Sequence, residues 1–86
     1  MYTIKIRQTV KKTLLKYPMQ VRRDFEKVVE MLRQNPFTPY TKIKKLHKPL
    51  EGYRYKMHPY RIAYTVNTET KTVYIYDFFH RGHGYR

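Results

Sequence analysis

The chain has 86 residues, with 19 Lys and Arg against 6 Asp and Glu, a formal net charge of +13 and no cysteine. One domain over residues 1–86 is expected at this length, and a disulfide framework and a thiolate metal site are excluded. No apolar run approaches the roughly 20 residues of a membrane-spanning helix and no signal-peptide core opens the chain, so a soluble cytoplasmic protein with an anionic partner is expected.

Tyr2, Ile4 and Ile6 alternate with Thr3, Lys5 and Arg7. That period of two predicts a half-buried strand over residues 2–7. Thr9 is placed to cap a short helix with Val10, Leu14 and Tyr17 on one side. Pro18 ends that helix or opens the next, where its missing N–H costs nothing. Val21, Phe25, Val28, Val29 and Leu32 recur at the three-four spacing of an amphipathic helix over Met19–Gln34, closed by Asn35-Pro36. The stretch "PFTPYTKIKKLHKPLEG" holds three prolines and scattered apolar residues. It reads as a loop anchored by Ile43 and Leu46. Strands follow at roughly 52–57, 60–67 and 72–79, with the polar break "NTET" between the last two. The order strand, helix, helix, strand, strand, strand predicts an α+β fold: a helical hairpin packed on one face of a mainly antiparallel four-stranded sheet.

The strands sort the charges. Side chains two apart on a strand share a face, about 6.5–7 Å from one another. Arg54 and Lys56 therefore oppose Tyr53, Tyr55 and Met57, and Arg61 opposes Tyr60, Ile62 and Tyr64. If the apolar sets cover the helices, both cationic sets point outward together. A one-residue slip between the strands would send Arg61 inward. Both faces of the last strand are apolar or aromatic, as in a strand with neighbours on both sides. Aliphatic stems of Lys and Arg also cover sheet faces without any further role. For the whole set that explanation is weak, because Glu51, Glu69 and Asp77 are the only acids after Glu30. A cluster of like charges costs stability and is better explained by an anionic ligand.

The segments "KKLHKPLEGYRYKMHPYRIAYTV" and "HRGHGYR" resemble the RelE/ParE toxin superfamily of type II toxin–antitoxin systems. The shared pattern is Leu, a few residues, Gly, then Tyr-Arg/Lys-x-Lys/Arg, a short turn, Tyr-Arg-x-x-Tyr, and a closing His/Lys-Arg before a terminal Tyr. The resemblance is to the RelE branch, which implies a ribosome-dependent, metal-independent mRNA endonuclease. The 2′-hydroxyl attacks the adjacent phosphate in the decoding site, and translation stops. The ParE branch implies instead a non-nuclease inhibitor of DNA gyrase. An inactive basic module that only binds its antitoxin is a third alternative. The implied partners are a cognate antitoxin, acidic and partly disordered, together with the ribosome and mRNA. No cofactor or metal is implied.

Carried over by position, Arg54 and Lys56 match the two basic residues of the RelE-type strand. Arg61 matches the arginine of Tyr-Arg-x-x-Tyr, Arg81 the arginine after the last strand, and Tyr85 the terminal tyrosine. The first basic position, often lysine, is Arg54 here, and the gap from Arg81 to Tyr85 is short for the family.

The cleavage needs a base for the 2′-hydroxyl, charge stabilisation at the phosphorane and a proton for the 5′-oxygen. Arginine stays protonated and is a poor base. Lys56, between cations that favour its neutral form, is the candidate base. Arg54 and Arg61 are suited to fork onto phosphate oxygens, and Arg81 to stabilise or protonate the leaving oxygen. His80 and His83 are alternative acid–base groups, since histidine titrates near neutrality. Tyr85 is suited to stack on a splayed base. Lys42, Lys44, Lys45 and Lys48 are candidate RNA-backbone contacts. His47 and His58 fall in loops. Four histidines without clustered carboxylates give no metal site.

Overall fold

The computed structural model describes residues 1–37, 42–46 and 52–82. Among them the chain forms β1 (Thr3–Ile6), α1 (Gln8–Leu14), α2 (Met19–Gln34), β2 (Ile43–Lys45), β3 (Tyr53–Met57), β4 (Tyr60–Asn67) and β5 (Thr72–His80). The sheet order is β1-β5-β4-β3-β2. After β1 the chain lays down both helices, descends at the far edge and works back strand by strand. β5 then pairs parallel with β1, and the other three pairings are antiparallel.

The expected α+β order holds, with one correction. The sheet has five strands, not four, because Ile43–Lys45 lies in the stretch read as a loop. Three residues are too few to show a period, and two of them are lysines. What recruits the segment is the open backbone edge of β3, whose unpaired N–H and C=O groups need partners. The pairing of Ile43 with Tyr55 is extended by Lys56 N–H donating to Lys42 O at 2.7 Å and Leu46 N–H donating to Gly52 O at 2.9 Å.

A second correction concerns the start of α1. The N-cap is Arg7, without a side-chain cap bond, and Thr9 lies inside the helix. There its carbonyl accepts a bond from the Thr13 hydroxyl at 2.8 Å. The Arg7 backbone N–H is occupied by Ile75 O at 2.9 Å, so the end of β1 sets the start of the helix. Pro18 is the N-cap of α2.

The core fills the space between the helices and one sheet face. α2 contributes Phe25, Val28, Val29 and Leu32, and α1 contributes Val10 and Leu14. From the sheet come Tyr55, Ile62, Tyr64, Val73, Ile75 and Phe78. Aromatic edges lock the layers together: Phe78 meets Phe25 at 5.4 Å and Tyr17 at 5.5 Å, both near perpendicular. Tyr2 N–H donates to Arg33 O at 2.8 Å, tying the start of β1 to the end of α2.

Tyr64 sits at the middle of this core and is fully buried. Its hydroxyl donates to Pro36 O at 2.9 Å, holding the exit of α2 against β4. Burial, and then the neighbouring Tyr53 and Tyr55, push its pKa well above the ordinary 10.0. Replacing Tyr64 by Phe strands the buried Pro36 carbonyl and should cost about 1–3 kcal/mol, read by urea denaturation. Above pH about 10 the unfolded chain releases this proton while the folded chain keeps it, so the unfolded state binds fewer protons and stability falls with rising pH. The alkaline loss should be steeper for the wild type than for Tyr64→Phe. Equal slopes would mean that Tyr64 ionises as freely in the fold as outside it.

Candidate functional site

The face of the sheet opposite the helices carries the cations, and strand register places them in rows. β3 and β4 pair Tyr53 with Tyr64, Tyr55 with Ile62 and Met57 with Tyr60, all on the helix side. The residues between are thereby turned outward. Lys56 lies directly opposite Arg61, and Arg61 opposite Phe79 of β5. One step along, Lys44 of β2 lies opposite Arg54, Arg54 opposite Ala63, and Ala63 opposite Asp77. Directly opposed residues have Cβ atoms about 4.5–5.5 Å apart, and like charges so placed destabilise the sheet. Two such pairs, Lys56–Arg61 and Lys44–Arg54, stand side by side.

A bulge shapes the rest of this face. The β4–β5 register shifts between Ala63 and Tyr64, leaving Tyr76 as an extra residue on β5. Unbroken alternation along the strand would put Phe79 on one face with Val73 and Ile75. The bulge exchanges the two phenylalanines. Phe78 joins the core, and Phe79 lies on the outer face at 8% exposure, apart from the main core cluster. Buried Phe79 and Ala63 make an apolar floor, with Arg54, Lys56 and Arg61 around it.

Each cation is held differently. Arg61 is half-buried, and its Nη1 donates to the carbonyl of Tyr60 at 3.0 Å. Arg54 is half-buried, and its Nη1 is shielded from solvent without a hydrogen-bond partner. Lys56 is exposed. Arg81 follows the last residue of β5, and its backbone N–H donates to Pro59 O at 3.0 Å. That bond fixes the Arg81 backbone beside the β3–β4 turn, next to the Lys56–Arg61 row. Among the described residues no carboxylate forms an ion pair with Arg54, Lys56 or Arg81; the ion pair present is Arg33 with Glu30, on α2. Asp77 is the one acid on the described outer face, and its Oδ1 accepts from the Phe78 N–H at 2.9 Å.

The structure therefore brings Arg54, Lys56, Arg61 and the backbone of Arg81 to one end of one face. Lys44 joins them, and Lys42 lies two residues before it, at the mouth of the same edge. Lys45 faces the other way, paired with Tyr53. His80 is also separated from the group. It lies opposite Tyr60 and its ring meets the Tyr60 ring at 5.8 Å, on the helix side of the sheet. Its Nδ1 accepts from Gly82 N–H at 3.4 Å. His47, Lys48, His83 and Tyr85 lie outside the described residues. Lys44 as a partner of Arg54 was hidden in the sequence, because the short β2 gave no period. Pairing potential at the edge of "YRYKM" was the only signal for it.

The sequence profile of the ParE toxin of type II toxin–antitoxin systems, parDE, matches residues 4–85. Three solved structures are similar over almost the whole fold. The archaeal RelE–RelB complex of Pyrococcus horikoshii contains a chain 27% identical, with a TM-score of 0.80 over 96% of this chain and 98% of that one. The RelBE2 toxin–antitoxin complex of Mycobacterium tuberculosis gives 28% identity and a TM-score of 0.69 over 93% and 98%. The RelB–RelE antitoxin–toxin complex of Methanococcus jannaschii gives 25% and 0.68 over 91% of each. No curated protein sequence matches the chain.

Gly52 sets the geometry that starts β3. Its φ is +90°, and a Cβ there would run into the carbonyl oxygen of Tyr64 on β4. The close approach lets Tyr53 enter opposite Tyr64 and so sets the register of Arg54 and Lys56. Gly52→Ala should destabilise the fold by about 2–4 kcal/mol, from backbone strain plus the overlap. A thermal melt unchanged within about 1 °C would show that the strand can enter by another route.

Proposed function

The chain belongs to the RelE/ParE toxin superfamily of type II toxin–antitoxin systems, and from that premise we propose that it is a ribosome-dependent mRNA endonuclease of the RelE kind. The observation that carries this reading is the gathering of Arg54, Lys56 and Arg61 on one sheet face, with like charges directly opposed. Protein surfaces avoid such pairs unless an anion is to be gripped there.

In this reading Lys56 takes the proton from the ribose 2′-hydroxyl. The 2′-oxygen forms a bond to phosphorus while the bond from phosphorus to the 5′-oxygen breaks. The products are a 2′,3′-cyclic phosphate and a free 5′-hydroxyl. Arg61 and Arg54 hold the non-bridging oxygens as charge builds on them. Arg81 stands beside the leaving 5′-oxygen and stabilises or protonates it. His80 lies on the other side of the sheet, which favours Lys56 over it as the base. The similar structures are complexes with RelB, and an antitoxin, acidic and partly disordered, is proposed to cover the same cationic face here.

A gyrase-directed role is the second reading, favoured by the ParE name of the matching profile. The two separate by what stops first on induction in cells, translation or replication.

Lys56→Ala should slow cleavage of ribosome-bound mRNA by about 10²–10⁴-fold, the usual worth of a positioned base. Arg61→Ala should slow it by about 10²–10³-fold. Lys56→Ala removes an exposed member of a like-charge pair, so it should not lower the melting temperature. Mapped mRNA 5′ ends and single-turnover rates on programmed ribosomes read the effect. Cutting at the wild-type rate by both variants would remove these residues from the chemistry.

A further inference from the structure

The outer face does not stop at the cation cluster. Beyond the bulge, the next outward position on β5 is Tyr74. It lies directly opposite Thr65 of β4 and Lys5 of β1. Its sequence neighbours Val73 and Ile75 are fully buried on the helix side, yet Tyr74 is 40% exposed. This is not an edge residue spilling into water, because β5 runs between β1 and β4. The ring covers no core, since the core lies on the opposite face.

Its place in the rows gives the exposure a meaning. Arg61, Ala63 and Thr65 mark three successive outward steps along β4. Two steps separate the Arg61 row from the Tyr74 row, about 13 Å at the rise of a β-strand. Between them lies the row of Arg54 and Asp77, and the Asp77 Oδ1 is turned to its own backbone neighbour, Phe78 N–H. Cations flank the face on both borders: Lys44, Arg54 and Lys56 on the β2–β3 side, and Lys5 on β1. Between them lie the outward residues of β4 and β5: Arg61, Ala63 and Thr65, and Tyr74, Asp77 and Phe79. Single-stranded nucleic acid is bound by this arrangement, in which cations follow the backbone and exposed rings take the bases.

We propose that Tyr74, with Lys5 beside it, is a second stacking platform for single-stranded RNA, taking a base a short way along the strand from the linkage held by Arg61 and Arg54. The proposal rests on the reading of this face as an RNA surface, and extends it to a residue outside the cutting site. The nucleotide on Tyr74 contributes grip and register, and takes no part in bond breaking. Its stacking is tolerant of base identity, because every base has a flat face. Lys5 supplies the charge for that nucleotide's phosphate.

The test is binding of 2′-O-methyl oligonucleotides, which cannot be cut, followed by fluorescence anisotropy of a labelled dinucleotide and a labelled octanucleotide. Tyr74→Ala should raise the octanucleotide Kd by about 5- to 100-fold, the range expected for one lost base–aromatic stack. It should leave the dinucleotide Kd unchanged, because a dinucleotide held at Arg61 does not reach Tyr74. Tyr74→Phe should bind the octanucleotide like the wild type, and Tyr74→Leu, which keeps bulk without a flat ring, like Tyr74→Ala. Lys5→Ala should make octanucleotide binding less sensitive to salt. Unchanged octanucleotide binding by Tyr74→Ala, with the wild type binding both probes, overturns the platform and leaves the RNA face standing. A wild type that binds neither probe overturns both. Weakened binding of an acidic peptide, with RNA binding intact, assigns Tyr74 to a protein partner and overturns the proposal.

Discussion

The register between β3 and β4 is the constraint on which the rest depends. Tyr55 must meet Ile62 and Tyr53 must meet Tyr64 if the helices are to find an apolar surface. Once those pairs are buried, alternation leaves Lys56 opposite Arg61, whatever the electrostatic cost. Burying a large aromatic or aliphatic side chain is worth roughly 1.5–3 kcal/mol, and several are buried by this one pairing. An exposed charge pair on a sheet is worth a fraction of that. The hydrophobic term therefore sets the register, and the cations are carried to one face as its consequence. That lets the fold hold a repulsive cluster without losing its shape. Gly52 enters the same constraint, because the backbone crossing that begins the pairing leaves no room for a side chain.

The parts of this architecture that could be read in advance are those where a long period met a strong contrast. α2 begins and ends where the three-four spacing placed it, at Met19 and Gln34, and β4 spans Tyr60–Asn67. In both, apolar and polar residues alternate cleanly over several repeats. β2 was illegible because it is three residues long and paired through its backbone, which the side chains do not advertise. The parallel contact of β1 with β5 was illegible for a related reason: it joins the first strand to the last, and no local pattern encodes a partner so distant in sequence. The start of α1 was misread because Thr9 is a good capping residue in isolation. In the fold, pairing of the Arg7 N–H with β5 begins the helix two residues earlier than the side chain of Thr9 would.

The candidate site was legible to a similar degree and for similar reasons. Arg54, Lys56 and Arg61 sit on strands with clear alternation, so their common face followed from the pattern. His80 was harder to place, because the bulge at Tyr76 resets the alternation of β5 before it arrives. Counting by twos from Val73 without the bulge sends Phe79 to the core and His80 outward. The structure does the reverse, and the His80 ring ends against Tyr60 on the helix side. A single inserted residue therefore decides which of two neighbouring groups, an imidazole or a phenyl ring, faces the cations.

The same insertion explains how a sheet face so charged remains closed to water beneath. With Phe79 outward and nearly buried, the guanidinium and ammonium groups stand around an apolar floor instead of over bare backbone. Apolar ground lowers the local dielectric, and at lower dielectric every interaction between these cations and an incoming anion strengthens, as does their mutual repulsion. Asp77 arrives on this face by the same bulge, and its carboxylate is spent on the adjacent Phe78 N–H instead of on a cation. Three of the other five acids, Asp24, Glu26 and Glu30, lie on α2, in the layer on the far side of the sheet, and Glu69 lies in the turn between β4 and β5. The net charge of +13 is shared by both layers, since α1 and α2 also carry more cations than acids. On the outer face, Arg54, Lys56 and Arg61 are gathered by the pleat and set around an apolar floor by one bulge, with the acids of α2 held on the far side of the core.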